Sequence, residues 1–343
     1  DPEREEELGD YLATAGFLGQ NETILRCARA GDGNMNLTLR VETSRRQFIL
    51  KQARPWVEKY EHIAAPWNRN RFEADFYRKA ATLPGVGDHM PALLGSDPAA
   101  QILLLEALPD SSDLTTAYSR SSDQYKPSTL SHSEIEELAQ YLSALHRGTQ
   151  GLSEPRFSNP KMRQLNFEHI FVIPFQEENG LDLEALETGL QAGASALRND
   201  RELMHAVRET GENYRKREVC LVHGDYYPGS WLRSSLGLRI IDAEFCFLGE
   251  PEVDLGCAVA HFALAQEPWT QARAFLAAYQ GTAPVAAFRN RAIARYAATE
   301  VIRRIIGVAQ LPIPASPARG PAQNRRKDLL HQAHRVMLGG DAK

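Results

Sequence analysis

Apolar and polar positions change rhythm along the chain, and the changes predict its elements. Thr23 to Arg29, Leu37 to Val41 and Phe48 to Lys51 carry the alternation or short apolar run of half-buried strands. Ala30-Gly31-Asp32-Gly33-Asn34 and Ser44-Arg45-Arg46 lie between them as turns. A helix is expected from Arg69 to Ala81, then strands at Met90 to Gly95 and Gln101 to Glu106. Within the last of these, Ile102-Leu103-Leu104-Leu105 is apolar throughout and reads as buried. Helical spacing dominates the rest. Ser131-His132-Ser133-Glu134 is a capping box ahead of Ile135, Leu138, Tyr141, Leu142 and Leu145, with His146 a structural residue at the end. Residues 183–215 read as helical. Further helices are expected near 252–265, 270–280, 285–310 (with Gly307 a late interruption) and 323–338, with a proline-rich loop over 311–317. Residues 151–182, rich in Pro, Asn and Gly around Phe157, Phe167, Phe171 and Phe175, read as a partly ordered insertion beside a cleft.

A strand-rich beginning and a helix-rich remainder suggest two lobes, expected at residues 1–108 and 109–343. The 343 residues, 43% hydrophobic, are enough for real cores. A net charge of −5 and a pI near 6.1 speak against a nucleic-acid partner. No apolar run is long enough for a bilayer, and the acidic start, Asp1-Pro2-Glu3-Arg4-Glu5-Glu6-Glu7, is unlike a signal peptide. It also lacks Met, so the numbering need not begin at a native start. Cys27, Cys220, Cys246 and Cys257 form no CxxC pair, and reduced thiols in the cytoplasm are expected. Cys220 and His223 fit strand packing rather than zinc.

The chemistry is concentrated in His223-Gly224-Asp225-Tyr226-Tyr227-Pro228-Gly229-Ser230 and Ile240-Ile241-Asp242-Ala243-Glu244-Phe245. The first follows the buried-strand run Val219 to Val222; the second continues Leu238 to Ile241. A carboxylate beyond a strand, a hairpin, then further carboxylates suits phosphoryl transfer. Asp225 would act as the base, with Asp242 and Glu244 holding magnesium. Alone, each acid fits a turn or cap equally well. Their order after other candidates gives them weight. The Gly31–Asn34 segment is a hairpin turn or a loop whose glycines admit phosphate. Lys51 lies mid-strand where a lysine reaches ATP, and Glu73 is either its ion-pair partner or a solvated helix residue. Leu105-Glu106-Ala107-Leu108-Pro109 leaves its strand like a hinge, where backbone near Glu106 and Leu108 would meet adenine.

In this order the chain resembles the aminoglycoside phosphotransferase and choline kinase superfamily over nearly its whole length, and within it the methylthioribose kinases. Gly31-Asp32-Gly33-Asn34-Met35-Asn36-Leu37 is similar to their DGN-type phosphate loop. Lys51-Gln52-Ala53-Arg54-Pro55-Trp56-Val57 is similar to their KQ-x-x-P-x-V segment, and Asp242-Ala243-Glu244-Phe245-Cys246-Phe247-Leu248-Gly249 to DPEFAFYG. Ile302-Arg303-Arg304-Ile305-Ile306-Gly307-Val308-Ala309 is similar to an IRRIVGxA helix outside the shared kinase machinery.

The resemblance implies an α+β, two-lobed protein-kinase-like fold, with a small antiparallel-sheet N-lobe and a larger, mainly helical C-lobe. It implies ATP and Mg2+ as cofactors. Gly31, Asp32, Gly33, Asn34 and Lys51 would contact ATP, and Arg303 and Arg304 the sugar and the transferring phosphoryl group. Many members ligate metal through Asn five residues after the base; here that position is Ser230, a weaker candidate ligand. Three departures surround the acceptor pocket. Pro66-Trp67 reverses the family's Trp-Pro loop, Tyr226-Tyr227-Pro228 replaces Leu-His-Thr, and Ala243 replaces the DPE proline. The expected partner is a small sugar or alcohol, 5-methylthioribose or a related pentose first. A choline- or aminoglycoside-type acceptor and a nucleotide-binding pseudokinase are the rivals. Neither nucleic acid nor membrane is expected, and a homodimer is left open.

Overall fold

The computed structural model describes residues 5–31, 35–119, 130–281, 289–311, 313 and 325–340. It opens with helix α1 (Glu5–Thr14), which the strand-and-turn pattern did not announce. Its Leu12 is fully buried among Leu37, Leu39, Val41, Phe48, Leu50, Ile102 and Leu104 of the sheet below. Strands β1 (Ile24–Arg29), β2 (Leu37–Thr43) and β3 (Gln47–Gln52) follow as expected. A hairpin that the pattern did not reveal comes next, β4 (Trp56–Val57) and β5 (Tyr60–Ala64). It is two residues wide on one side, too short to show a period.

Helix α2 (Arg69–Ala80) leads to β6 (Leu93–Asp97) and β7 (Ile102–Glu106). The expected start of β6 at Met90 is corrected by three residues. Met90 closes a turn by donating to Gly87 O, and Pro91 has no N–H for a ladder. The five strands order as β1-β2-β3-β7-β6, every neighbour antiparallel. Lys51 sits between Thr38 and Leu103 in this register, near the middle of the sheet.

Past the short β8 (Ser112–Asp113) the chain is mainly helical. Helix α3 (His132–Gly148) begins on a true capping box: Ser131 Oγ accepts from Glu134 N, and Glu134 accepts from Ser131 N. Its apolar stripe, Ile135, Leu138, Leu142 and Leu145, is buried. The partly ordered insertion expected over 151–182 is corrected, since the segment is built of defined helical elements. Asn159-Pro160 starts helix α4 (Pro160–Phe171), with Pro at the first turn where its missing N–H is harmless. Phe157 and Phe171 are buried. The single helical span expected over 183–215 is three helices, α5 (Leu183–Leu186), α6 (Leu190–Asn199) and α7 (Arg201–Lys216). Gly189 is left-handed at the first break, and Asp200 caps α7 at the second.

A two-stranded sheet and a three-stranded one then carry the motifs. One joins β9 (Cys220–Val222) to β12 (Phe247–Gly249); the other joins β10 (Trp231–Ser234) to β11 (Gly237–Ile240), and β10 also pairs with β8. Helices α8 (Glu252–Leu264), α9 (Trp269–Gly281), α10 (Asn290–Ile306) and α11 (Arg325–Leu338) complete the fold. α10 ends at Ile306, four residues before the expected limit; its expected first residues lie outside the described ones, as does most of the 311–317 loop. Gly256 lets α8 and α10 touch: a Cβ there would stand 2.4 Å from Tyr296 Cβ.

A second, larger apolar cluster spans these helices and takes in Phe76, Tyr77 and Ala80 of α2. α2 therefore carries residues of the sheet side onto the helical core. Each fully buried Phe or Leu in such a core contributes about 1.5–3 kcal/mol of transfer free energy.

Candidate active site

Lys51 emerges from the buried face of β3 and meets Glu73 of α2 at 2.8 Å. Both are buried, so the ion pair forms and the solvated reading of Glu73 falls. The same ammonium contacts Asp242, whose side chain is 42% exposed and so open to the cleft. Asp242 adopts a left-handed backbone, φ 68°, at the strand exit. That conformation is uncommon for a residue with a Cβ and is accepted where the surroundings hold it. Burial would raise the Asp242 carboxyl, but Lys51 outweighs it and holds the group below its ordinary value. Burial pushes Glu73 up against the pull of Lys51.

Glu244 is 1% exposed and differently held. Its Oε2 accepts from Asn36 Nδ2 at 2.8 Å and faces Arg69 Nε at 3.2 Å. Burial raises its carboxyl, opposed by Lys51 and Arg69. Glu73, Asp242 and Glu244 each place one carboxylate oxygen within 4.8 Å of the others. Hard oxygens at this spacing fit magnesium. Lys51 contacts both Glu73 and Asp242, whereas Asn36 and Arg69 hold Glu244.

Asp225 lies beyond β9 in a loop tied down from all sides. Asp254 of α8 accepts from His223 N at 2.7 Å, Gly224 N at 2.9 Å and His146 Nε2 at 3.1 Å. His146 is thus structural, as expected. His223 Nε2 donates to Ile241 O at 3.0 Å, which leaves Nδ1 to accept from Asp225 N at 3.4 Å. The imidazole therefore links Asp225 to the residue before Asp242. Gly224 has φ +85°, and a Cβ on it would sit 2.2 Å from Phe245 O. Only glycine allows the two loops to approach this closely.

Ser230, the weaker candidate ligand, is buried beside Asp225. Its hydroxyl donates to Asp225 O at 2.9 Å, and its carbonyl accepts from Ile241 N at 3.0 Å. It braces the loop of Asp225 against the strand end before Asp242.

Arg303 and Arg304 are both buried, and both are held by Glu300 one turn earlier. Arg303 Nη1 lies 3.0 Å and Arg304 Nε 2.6 Å from its carboxylate. Arg304 alone reaches Asp225, Nη2 to Oδ1 at 3.3 Å, and lies over the Tyr227 ring at 4.9 Å. Burial raises the Asp225 carboxyl although both arginines oppose it. Glu300 stays well below its ordinary value because the guanidiniums outweigh its burial.

Behind Glu300, His261 Nε2 approaches at 3.1 Å and His261 Nδ1 meets Tyr118 OH at 2.6 Å. Cys257, His261 and Glu300 have metal-like spacing. Both imidazole nitrogens and the carboxylate are already engaged, and two guanidiniums adjoin, so a cation does not fit there.

Gly31 is exposed at φ +72° in the turn between β1 and β2, with open space where a Cβ would point. Asp32, Gly33 and Asn34 lie outside the described residues. At the end of β7, Glu106 donates its N–H to Ala92 O and Leu108 is buried. Four further positions matter and were not singled out from the sequence: Asp254, Glu300, His261 and Asn159. Asn159 Nδ2 donates to Glu244 O at 2.8 Å and Cys246 O at 3.0 Å. Of these, only Glu300 left a readable signal, an acid three and four residues ahead of paired arginines.

The molecule matches known proteins at two levels. The chain is 27% identical over 270 residues to the methylthioribose kinase of Pectobacterium carotovorum, covering 74% of this chain and 64% of that protein. It is 25% identical over 261 residues to the methylthioribose kinase of Bacillus cereus, with the same coverage. It thus spans less than two thirds of the length of these curated relatives. In three dimensions it resembles choline kinase LicA from Streptococcus pneumoniae, with a TM-score of 0.56 at 14% identity over 97% of this chain and 98% of that one. It also resembles a spectinomycin phosphotransferase complexed with ADP and spectinomycin, with a TM-score of 0.52 at 14% identity over 99% of both chains. These likenesses establish the α+β, protein-kinase-like fold. The phosphotransferase enzyme family profile matches residues 26–289, and the chain belongs to that family.

Proposed function

We propose that this chain is a magnesium- and ATP-dependent small-molecule kinase. Its acceptor is a sugar hydroxyl, 5-methylthioribose or a related pentose. The observation that carries this reading is the placement of Asp225. A partly buried carboxylate is tied through His223 to the strand before Asp242, and touches Arg304 on its other side. The lobes divide near residue 108, with nucleotide on the sheet side and acceptor on the helical side.

In the reaction the acceptor oxygen bonds to the γ-phosphorus of ATP, the bond from that phosphorus to the β–γ bridging oxygen breaks, and ADP leaves. Asp225 takes the hydroxyl proton. Arg304 occupies Oδ1, and Oδ2 has no hydrogen-bond partner among the described residues, so it is the oxygen offered to the acceptor. A carboxyl raised by burial is a stronger base than an ordinary Asp. Lys51, oriented by Glu73, binds phosphate oxygens once nucleotide draws it from Asp242. Backbone near Glu106 and Leu108 meets adenine, and the turn containing Gly31, Asp32, Gly33 and Asn34 covers the phosphates. Magnesium, held by Asp242 and Glu244, would neutralise phosphate charge. Arg304 and Arg303 offset charge on the transferring group.

The second reading, a choline- or aminoglycoside-type acceptor, is disfavoured by the same arginines, which would repel a cation beside Asp225. The test is ADP release across pentoses, thiopentoses, choline and aminoglycosides. Release with methylthioribose or a close pentose supports the proposal. Release with only cationic acceptors replaces its substrate, and nucleotide binding without release to any acceptor replaces it with a pseudokinase.

A further inference from the structure

Arg69 is fully buried and has more partners than any simple helix residue needs. Its Nη2 donates to Met35 O at 2.5 Å, and its Nη1 to Arg54 O at 2.7 Å and Pro66 O at 2.8 Å. Its Nε donates to Asn36 Oδ1 at 2.9 Å. The same Nε stands 3.2 Å from Glu244 Oε2, and Asn36 Nδ2 donates to that same oxygen at 2.8 Å. One guanidinium thus gathers the end of the β1–β2 turn, the exit of β3, the entry to α2 and the distant acid Glu244. Burying a guanidinium at full depth is costly unless each donor is matched, and here the matches are mostly main-chain carbonyls with fixed positions.

The asymmetry at Glu244 is informative. Both polar contacts fall on Oε2, and Oε1 has no hydrogen-bond partner among the described residues. A carboxylate pinned through one oxygen presents the other in a set direction. Carboxylates that hold metals are commonly oriented by such outer hydrogen bonds, whose loss weakens metal binding about 10–100-fold.

We propose that Arg69 and Asn36 are positioning residues that orient Glu244 toward the magnesium of bound nucleotide. The inference rests on the proposed nucleotide and magnesium site. Neither residue touches the reacting atoms, so their role lies in metal coupling rather than in chemistry. A purely structural weld between the sheet and Glu244 would weaken nucleotide binding equally with and without metal. An orienting clamp weakens only the gain that metal provides.

The experiment is calorimetric titration of the whole chain with ADP, once with excess magnesium and once with EDTA. It is run on wild type, Asn36→Ala and Arg69→Lys, with thermal melts to show which variants are folded. The expected result is wild-type affinity in EDTA and a magnesium-dependent gain reduced about 10–100-fold in each folded variant. If Arg69→Lys does not fold, Asn36→Ala decides alone. An unchanged ratio of the two affinities overturns the inference while leaving the kinase reading intact. A wild-type chain that binds ADP in neither condition overturns both.

Discussion

Around Lys51 the charges come from distant parts of the chain, whereas Arg303 and Arg304 share an acid, Glu300, from the preceding turn of their own helix. Lys51 meets Asp242 across 191 positions, and Asn36 meets Glu244 across 208. Glu300, Arg303 and Arg304 share the last turns of α10. The first cluster forms only when sheet and helical parts come together; the second is assembled when α10 packs on α8. The first offers an exposed carboxylate at Asp242 and an exchangeable lysine contact. The second is buried and internally balanced, with Arg304 as its one reach into the cleft. On the proposed reading, a site that must admit and release nucleotide would be built from contacts that can part, and Asp225 would be held by contacts that do not.

The sharpest way to break this comparison is at Asp225. Asp225→Asn removes the proton acceptor but leaves both clusters of positive charge in place. Turnover on the best acceptor should fall about 10²–10⁴-fold, read by ADP release. Retained turnover would take Asp225 out of the chemistry.

Gly224→Ala attacks the junction between the two clusters. The new Cβ would meet backbone at Phe245 O and require a left-handed alanine. Destabilisation of at least about 3 kcal/mol is expected in urea melts. A wild-type midpoint would show that the loops can move apart.

The buried cluster should also respond to acid. Burial and the neighbouring arginines lower His261 to about 4 although Glu300 favours its charge. Tyr118, Cys257, Tyr227 and both guanidiniums complete its surroundings. The unfolded chain takes up this proton near pH 6.5, while the native chain resists until about 4. Stability from this group is therefore complete above 6.5 and is lost as pH falls through that window, by about 3 kcal/mol. Melts between pH 7 and 4.5 should steepen accordingly, and His261→Phe should flatten them.

The smallest effect separates the arginines. Arg304→Lys should lower turnover about tenfold, because an ammonium cannot hold Glu300, Asp225 and the Tyr227 face together. Arg303→Lys should cost less, since Arg303 touches Glu300 and not Asp225. Steady-state kinetics of the two variants would show equal losses if both face the acceptor.

How much of this was legible depended on whether the signal was local. The strands around Lys51, the α3 capping box and helix α10 follow from periodicity and short motifs. Asp225, Asp242 and Glu244 stood out because each follows a strand within a few residues. Asp254 and Asn159 were invisible, because nothing near them in sequence records that they bond the loops of Asp225 and Glu244. Helix α4 was hidden by a high count of turn-forming residues, though Asn159-Pro160 is a helix start. Ser230 was read by its spacing from Asp225, which ranks ligands but cannot tell which way a hydroxyl turns. For Arg303 and Arg304 the 100° between adjacent helix positions already required different surroundings. Only packing against Tyr227 and Asp225 shows which one turns to the cleft.

The central claim is that the two clusters have separate duties, and calorimetry on Asp242→Asn beside Asp225→Asn tests it directly. With ADP and excess magnesium, Asp225→Asn should bind as wild type, while Asp242→Asn should lose the magnesium-dependent part of its affinity. Equal binding by both variants, with the magnesium dependence intact, would contradict the account.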